Sequence, residues 1–223
     1  MPIIESVSVL TEVGNLVIEI FKAVRAGTLL KFSKEGFKTL SCLTTLEFRD
    51  EGGQQIAYYV QDRRIVFTKS RALPPFLYWS EGHDLIDELL IQNAPVAFKK
   101  IERPGEPRQI MPENTLEYSK GSEVKAALLA RSIGGFNGSV ESYSIRVDRW
   151  VGQSSLAIVF PENKKPTSYR IFYRKHSDAP EVERNTKEEC ELKKTTCSRW
   201  VLYWEFKNLT PGLTYTLEWN WTW

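Results

Sequence analysis

From residue 43 onward the apolar residues recur at every second position, and that period ties the chain to β structure more firmly than any other feature. The last ten residues, TYTLEWNWTW, put Tyr215, Leu217, Trp219, Trp221 and Trp223 on one side, with Thr216, Glu218, Asn220 and Thr222 on the other. One apolar and one wet face is the pattern of an antiparallel strand laid on a core. RWVLYWEF repeats it with Trp200, Leu202, Trp204 and Phe206, and the turn NLTPGLT reads as the hairpin joining the two. SYSIRV (142–147), SLAIVF (155–160) and SYRIFYR (168–174) are further strands. Earlier, three short runs at 43–49, 56–61 and 64–69 are separated by DEGG and QDRR as turns. Five of the seven tryptophans fall in the last 24 residues, so a tryptophan-rich core between sheets is expected. Tyr203, on the other side of its strand, is freer to bind.

Two stretches have a helical period instead. In ESVSVLTEVGNLVIEIFKAVRAG, residues 5–27, Val7, Leu10, Val13, Leu16, Val17, Ile20, Phe21 and Val24 recur at three- and four-residue steps. Glu5, Glu12 and Glu19 line the opposite face, and Gly27 supplies a stop. The glutamates break the apolar run that a signal peptide or a membrane-spanning helix requires. An amphipathic helix remains, either packed on the domain's own sheet or able to enter lipid. SEGHDLIDELLIQNAP reads as a short helix with Leu85, Ile86, Leu89 and Leu90 on its apolar face, ended by Pro95. ERPGEPRQIMPEN, near 102–114, reads as an exposed loop. The expected organisation is therefore an N-terminal helix over 1–27 and a single β-sandwich domain over 28–223.

Composition excludes more than it assigns. The 30 basic and 28 acidic residues are interspersed, for a net charge of +2, which argues against nucleic acid as a partner. Cys190 and Cys197 frame CELKKTTC, a spacing that a disulfide across a hairpin could bridge; Cys42 has no evident partner. Three Asn-X-Ser/Thr sequons, at Asn137, Asn208 and Asn220, are compatible with secretion. No Cys-X-X-Cys, HExxH, GxSxG, P-loop or GxGxxG motif occurs. His83 beside Asp84 suits a helix cap better than catalysis. No catalytic residue, metal or cofactor is expected, and the protein is read as a non-enzyme.

EVKAALLARSIGGFNGSVESYSIRVDRWVGQSSLAIVFPENKKPTSYRIFY, residues 123–173, resembles the actinoporin-like pore-forming cytolysins. Lys125, Leu128 and Leu129 match that family's first strand, Gly138 its turn, and Leu156 to Phe160 with Pro161 its later strand. The resemblance implies membrane lipid as partner, with phosphocholine headgroups held by Tyr143, Pro161, Tyr169, Tyr173 and Tyr203. Aromatic faces attract quaternary ammonium. It also implies that Val7, Leu10, Val13, Val17, Phe21 and Val24 insert, and that a soluble, secreted form becomes a homo-oligomer on membranes. NLTPGLTYTLEW is similar to a turn and strand of fibronectin type III domains. That likeness implies the alternative: a non-lytic recognition module, lectin-like or fibronectin-III-like, whose helix stays on the sheet.

Overall fold

The structure, a computed structural model, describes residues 36–221 apart from 79–82, 104–107, 137, 148–150, 163, 176–178, 185, 207–209 and 211. The N-terminal helix expectation and its inserting residues Val7, Leu10, Val13, Val17, Phe21 and Val24 lie outside the described residues, as does Trp223. The described chain is mainly β. Its strands are β1 (Phe37–Glu51), β2 (Gln54–Phe67), β3 (Arg71–Ala72), β4 (Phe76–Tyr78), β5 (His83–Ile91), β6 (Ala94–Val96), β7 (Phe98–Ile101), β8 (Arg108–Pro112) and β9 (Glu117–Tyr118). They continue as β10 (Glu123–Ile133), β11 (Val140–Arg146), β12 (Val151–Glu162), β13 (Ser168–Arg174), β14 (Val182–Glu183), β15 (Cys190–Lys194), β16 (Arg199–Glu205) and β17 (Thr214–Asn220). A single helical turn, α1 (Thr186–Glu189), precedes β15.

A large sheet runs β15-β16-β12-β1-β2-β10-β5-β6. A four-stranded sheet runs β11-β17-β13-β14, a three-stranded one β4-β8-β7, and β3 pairs with β9. All described pairings are antiparallel except β1 with β12, so the large sheet is mixed at its centre. The longest ladder joins β1 to β2 through Gly52 and Gly53, both at positive φ, with the Gly53 amide donating to Asp50 Oδ1 at 2.8 Å. DEGG is thus the turn its glycines predict.

One face of the large sheet carries two cores. Leu46, Phe48, Leu156, Ile158, Phe160, Leu202 and Trp204 meet Ile171, Tyr215, Leu217 and Trp219 of the four-stranded sheet and Trp221 just beyond β17. Trp204 and Trp219 are fully buried, and Phe48 lies 4.6 Å from Trp221 and 6.2 Å from Trp219, ring to ring. Further along, Tyr59, Ile65, Phe67, Leu89, Val124, Ala126, Leu128 and Ala130 meet Leu73, just after β3, and Phe76, Tyr78 and Ile110 of the three-stranded sheet.

Several expectations change. Gln61 to Arg64 is no turn: it lies within the 14 residues of β2, its polar character arising because Asp62 and Arg64 face outward while Gln61 and Arg63 face inward. The segment 83–96 is a hairpin of β5 and β6, not a helix. A bulge opposite Leu129 and Ala130 skips Asp87 and leaves Ile86 and Leu89 on one side, three apart, which imitates a helical spacing. Gln92 (φ 53°) and Asn93 (φ 64°) then form the two-residue turn. The loop expected near 102–114 contains β8, whose Ile110 is fully buried. The one helical turn described in the body of the chain falls at 186–189, where none was expected. NLTPGLT is not a hairpin either, since β16 and β17 belong to different sheets. Here the Tyr215 hydroxyl accepts the Thr210 amide at 2.8 Å, the kind of tyrosine tie seen where Greek-key sandwiches cross between sheets.

Cys190 and Cys197 are both free thiols. Cys190 pairs with Trp204 at the far end of the β15 ladder, and Cys197 lies beyond its other end, before β16. The four strand steps to Lys194 alone carry the chain about 13 Å, well past the roughly 7 Å that a disulfide spans between Cα atoms.

Trp219 sits where the two sheets meet, so Trp219→Ala should destabilise by about 3–5 kcal/mol, whereas Leu116→Ala, at a residue 52 % exposed, should change stability by less than about 0.5 kcal/mol. Urea denaturation of both variants checks the contrast.

Candidate functional site

Between the two cores the inward face of the large sheet turns polar. β1 and β2 bring Cys42, Thr44, Gln61 and Arg63 together there, because Thr44 lies opposite Gln61 and Cys42 opposite Arg63. Arg63 donates from Nε and Nη2 to Gln61 Oε1 at 3.0 and 2.6 Å, and from Nη1 to the Pro75 carbonyl at 2.9 Å. Its guanidinium lies 4.1 Å from the Phe76 ring centroid. Gln61 Nε2 donates to Thr44 Oγ1 at 3.4 Å, and Arg63 also bonds the Cys42 thiol. All these acceptors are neutral. Tyr143 of β11 closes the seam, with its hydroxyl hydrogen-bonded to Tyr59 and Thr44 and its ring packed against both cores.

Burial pushes the Cys42 thiol up despite Arg63, and pushes the Tyr59 and Tyr143 hydroxyls up as well. The thiol and both phenols are therefore held protonated at neutral pH. The seam is a hydrogen-bonded keystone between the two cores.

On the sheet's opposite face, Glu47 is 1 % exposed and bonds Arg49 at 2.8 Å as well as Arg199. Arg199 continues to the Phe160 carbonyl at 3.0 Å and the Phe48 carbonyl at 2.9 Å, fastening β16, β12 and β1 together. Burial pushes the Glu47 carboxyl up, but the hydrogen bonds and charges of Arg49 and Arg199 outweigh it and hold the group below its ordinary value. Among the described residues, no cluster of three or more His, Cys, Asp or Glu could hold a metal ion.

The outer face of the four-stranded sheet is a lattice of ion pairs. Arg170 binds Glu218 at 2.7 Å and Glu181 at 3.1 Å; Arg174 binds Glu181 too. Phe172, 3 % exposed, lies beneath both guanidiniums, 4.7 Å from Arg170 and 5.1 Å from Arg174. Ser144 and Thr216 share a 2.8 Å hydrogen bond. Elsewhere, Ala72, Leu73, Met111, Pro112, Leu116 and Tyr118 line an apolar pocket of about 100 Å³.

The residues expected to hold a headgroup are divided among these regions. Tyr143 is in the seam. Tyr169 and Tyr173 lie on the inner side of β13, half-buried against the tryptophan core, with Tyr173 5.6 Å from Tyr215. Tyr203 is 7 % exposed on the outer face of β16, where burial pushes its hydroxyl up. Pro161 is half-buried in β12. The structure thus groups Tyr169 and Tyr173 on one strand face and leaves Tyr203 on a different sheet. Sequence reading missed the seam, because Gln61 and Arg63 look like turn residues until their register is known.

No family model matches the chain, and no curated protein does. Among solved structures, the chain is similar to the M1 zinc metallopeptidase of Deinococcus radiodurans, with a TM-score of 0.43, 6 % identity, and coverage of 82 % of this chain and 42 % of that one. A mutant of that enzyme bound to a Tyr-Ser-Ala substrate gives 0.46, 6 %, 82 % and 43 %. The chain spans less than half the length of these proteins. Likeness this low assigns no activity.

Two measurements check the site. Glu47 titrates below its ordinary value in the folded state, so its stabilisation is complete above about pH 4.3 and fades as pH falls through the lowered value. Glu47→Gln should flatten the acid limb of the melting-temperature profile and cost about 3 kcal/mol or more at neutral pH, because Arg199 loses its counter-charge. A maleimide at neutral pH should label exposed Cys197 quickly, but Cys42 and Cys190, both buried with thiols pushed up, only after denaturation.

Proposed function

We propose that this protein is a non-enzymatic, non-lytic recognition module, built as a β-sandwich whose second half is fibronectin-III-like. One observation carries the reading. The tyrosines expected to hold a headgroup form no common outward surface: Tyr203 is 7 % exposed, Tyr169 and Tyr173 are half-buried on the inner side of β13, and Tyr143 is in the seam. What faces outward on β13 and β17 is the ion-paired lattice of Arg170, Arg174, Glu181 and Glu218 around Phe172. Fixed charges on rigid strands suit a protein partner recognised by complementarity, which disfavours the wrong partner as much as it attracts the right one.

The tyrosine tie from Tyr215 to Thr210 supports the fibronectin-III-like reading of the sandwich. The pore-forming alternative draws its support from the periodicity of residues 5–26 and from the local resemblance over 123–173.

A dye-leakage assay separates the two. The intact chain should release no dye from phosphatidylcholine liposomes, with or without sphingomyelin. Leakage that depends on sphingomyelin would overturn the proposal and restore the cytolysin reading.

A further inference from the structure

The register of β15 and β16 brings together two lysines that lie far apart in the sequence. Lys194 falls directly opposite Trp200, so both side chains leave the sheet on its inward side, that of Leu192 and Leu202. Lys165, in the connection between β12 and β13, reaches the same indole, with its ammonium 4.6 Å from the ring centroid. Trp200 is half-buried and both lysines are exposed. β15 is the edge of the large sheet, so this is the rim where the tryptophan core meets solvent.

Among the described residues, no carboxylate pairs with either lysine. Glu189 bonds the Trp204 indole at 3.4 Å on this side, but Arg184 already holds it at 2.5 Å. Glu191, paired with Lys193, and Glu162, opposite Arg199, lie on the other side of the sheet. Two cations without a counter-charge thus flank one ring. The cation–π contact fixes the Lys165 ammonium before anything binds, so less rotamer freedom is lost when an anion arrives.

We propose that this rim binds an acidic stretch of a partner polypeptide, with an aspartate or glutamate carboxylate seated between Lys165 and Lys194 and its apolar stem on Trp200. This rests on the recognition-module reading and gives one partner its chemistry. Charge complementarity selects the occupant. A basic patch that holds a membrane surface takes about four to eight lysines and arginines. Here two stand on one side of the sheet, and the exposed Glu162 and Glu191 on the other would repel an anionic plane. A carboxylate on an extended chain reaches both cations without meeting those glutamates.

Fluorescence anisotropy of a fluorescein-labelled hexaglutamate peptide, titrated with the full chain, tests the site. The peptide should bind at low ionic strength and lose affinity as salt rises. Lys165→Glu with Lys194→Glu should weaken binding by about tenfold or more, and Lys165→Arg with Lys194→Arg should keep it. Lys99→Glu with Lys120→Glu makes the same change of net charge at exposed lysines elsewhere and should alter binding by less than about twofold. Melting temperatures should hold, since every substituted residue is exposed. If the charge-reversed chain melts lower, Lys165→Gln with Lys194→Gln decides the matter in its place. A chain that does not bind the peptide overturns the proposal, as does equal weakening by the change at Lys99 and Lys120. Binding of phosphatidylserine vesicles through Lys165 and Lys194, with no binding of the peptide, overturns it too. Failure of the recognition-module reading itself shows separately, as dye leakage.

Discussion

Everything else in the described structure depends on one face of β2. Its inward side chains run Ala57, Tyr59, Gln61, Arg63, Ile65 and Phe67, so a single strand starts in the tryptophan core and ends in the second core. A one-residue slip against β1 would turn all six outward and empty both cores at once. The irregularity between Thr39 and Ser41 lets β1 follow, so that Phe37 still meets Phe67 after the bulge. The middle pair, Gln61 and Arg63, cannot be covered by plain apolar packing. They are satisfied by each other, by Thr44, by the Pro75 carbonyl and by the face of Phe76. The seam is what a continuous sheet requires where the layer that covers it is not continuous.

The opposite face has its own fastening. β12 joins β1 in parallel, and a connection of that kind cannot be a tight turn. Arg199 crosses from β16 to carbonyls on β12 and β1 while also pairing with Glu47. Three strands from distant parts of the chain are thereby held by one side chain. Arg49 and Arg199 together outweigh the desolvation of this deeply buried carboxylate.

Much of this was legible in the sequence, and the limits have physical causes. The runs 142–147, 155–160, 168–174 and 199–206 predict strands that the structure contains, although only 142–147 keeps a plain wet and dry alternation while 155–160 is buried on both faces. Residues 61–64 misled because inward polar side chains in a seam have the composition of a turn. Residues 83–96 misled because a bulge changes the local period from two to three, and no pattern of apolar residues distinguishes that from a helix turn. The partner of each strand was not legible at all. Whether NLTPGLT turns back within a sheet or crosses to another depends on which faces must be covered, a property of the whole domain. The seam was missed for the same reason, since Cys42, Arg63 and Tyr143 meet only through register and sheet packing.

The tryptophan-rich core expected from the sequence is present, and the reason is geometric. Two sheets packed face to face are separated by about 10 Å, a gap that large rings fill without voids, each burying about 150–250 Å². A C-terminal strand with Tyr215, Trp219 and Trp221 on one side is therefore what a sandwich interior calls for, and the same residues would serve a headgroup only if that side faced solvent. Here it faces Phe48 and Phe160. Aromatic content thus speaks about packing until register says which side is wet, and the chemistry open to partners is set by the other side. There the strands offer serines, threonines and paired charges. Direction in that surface comes from hydrogen-bonding geometry and charge order, both fixed by the tryptophan core beneath.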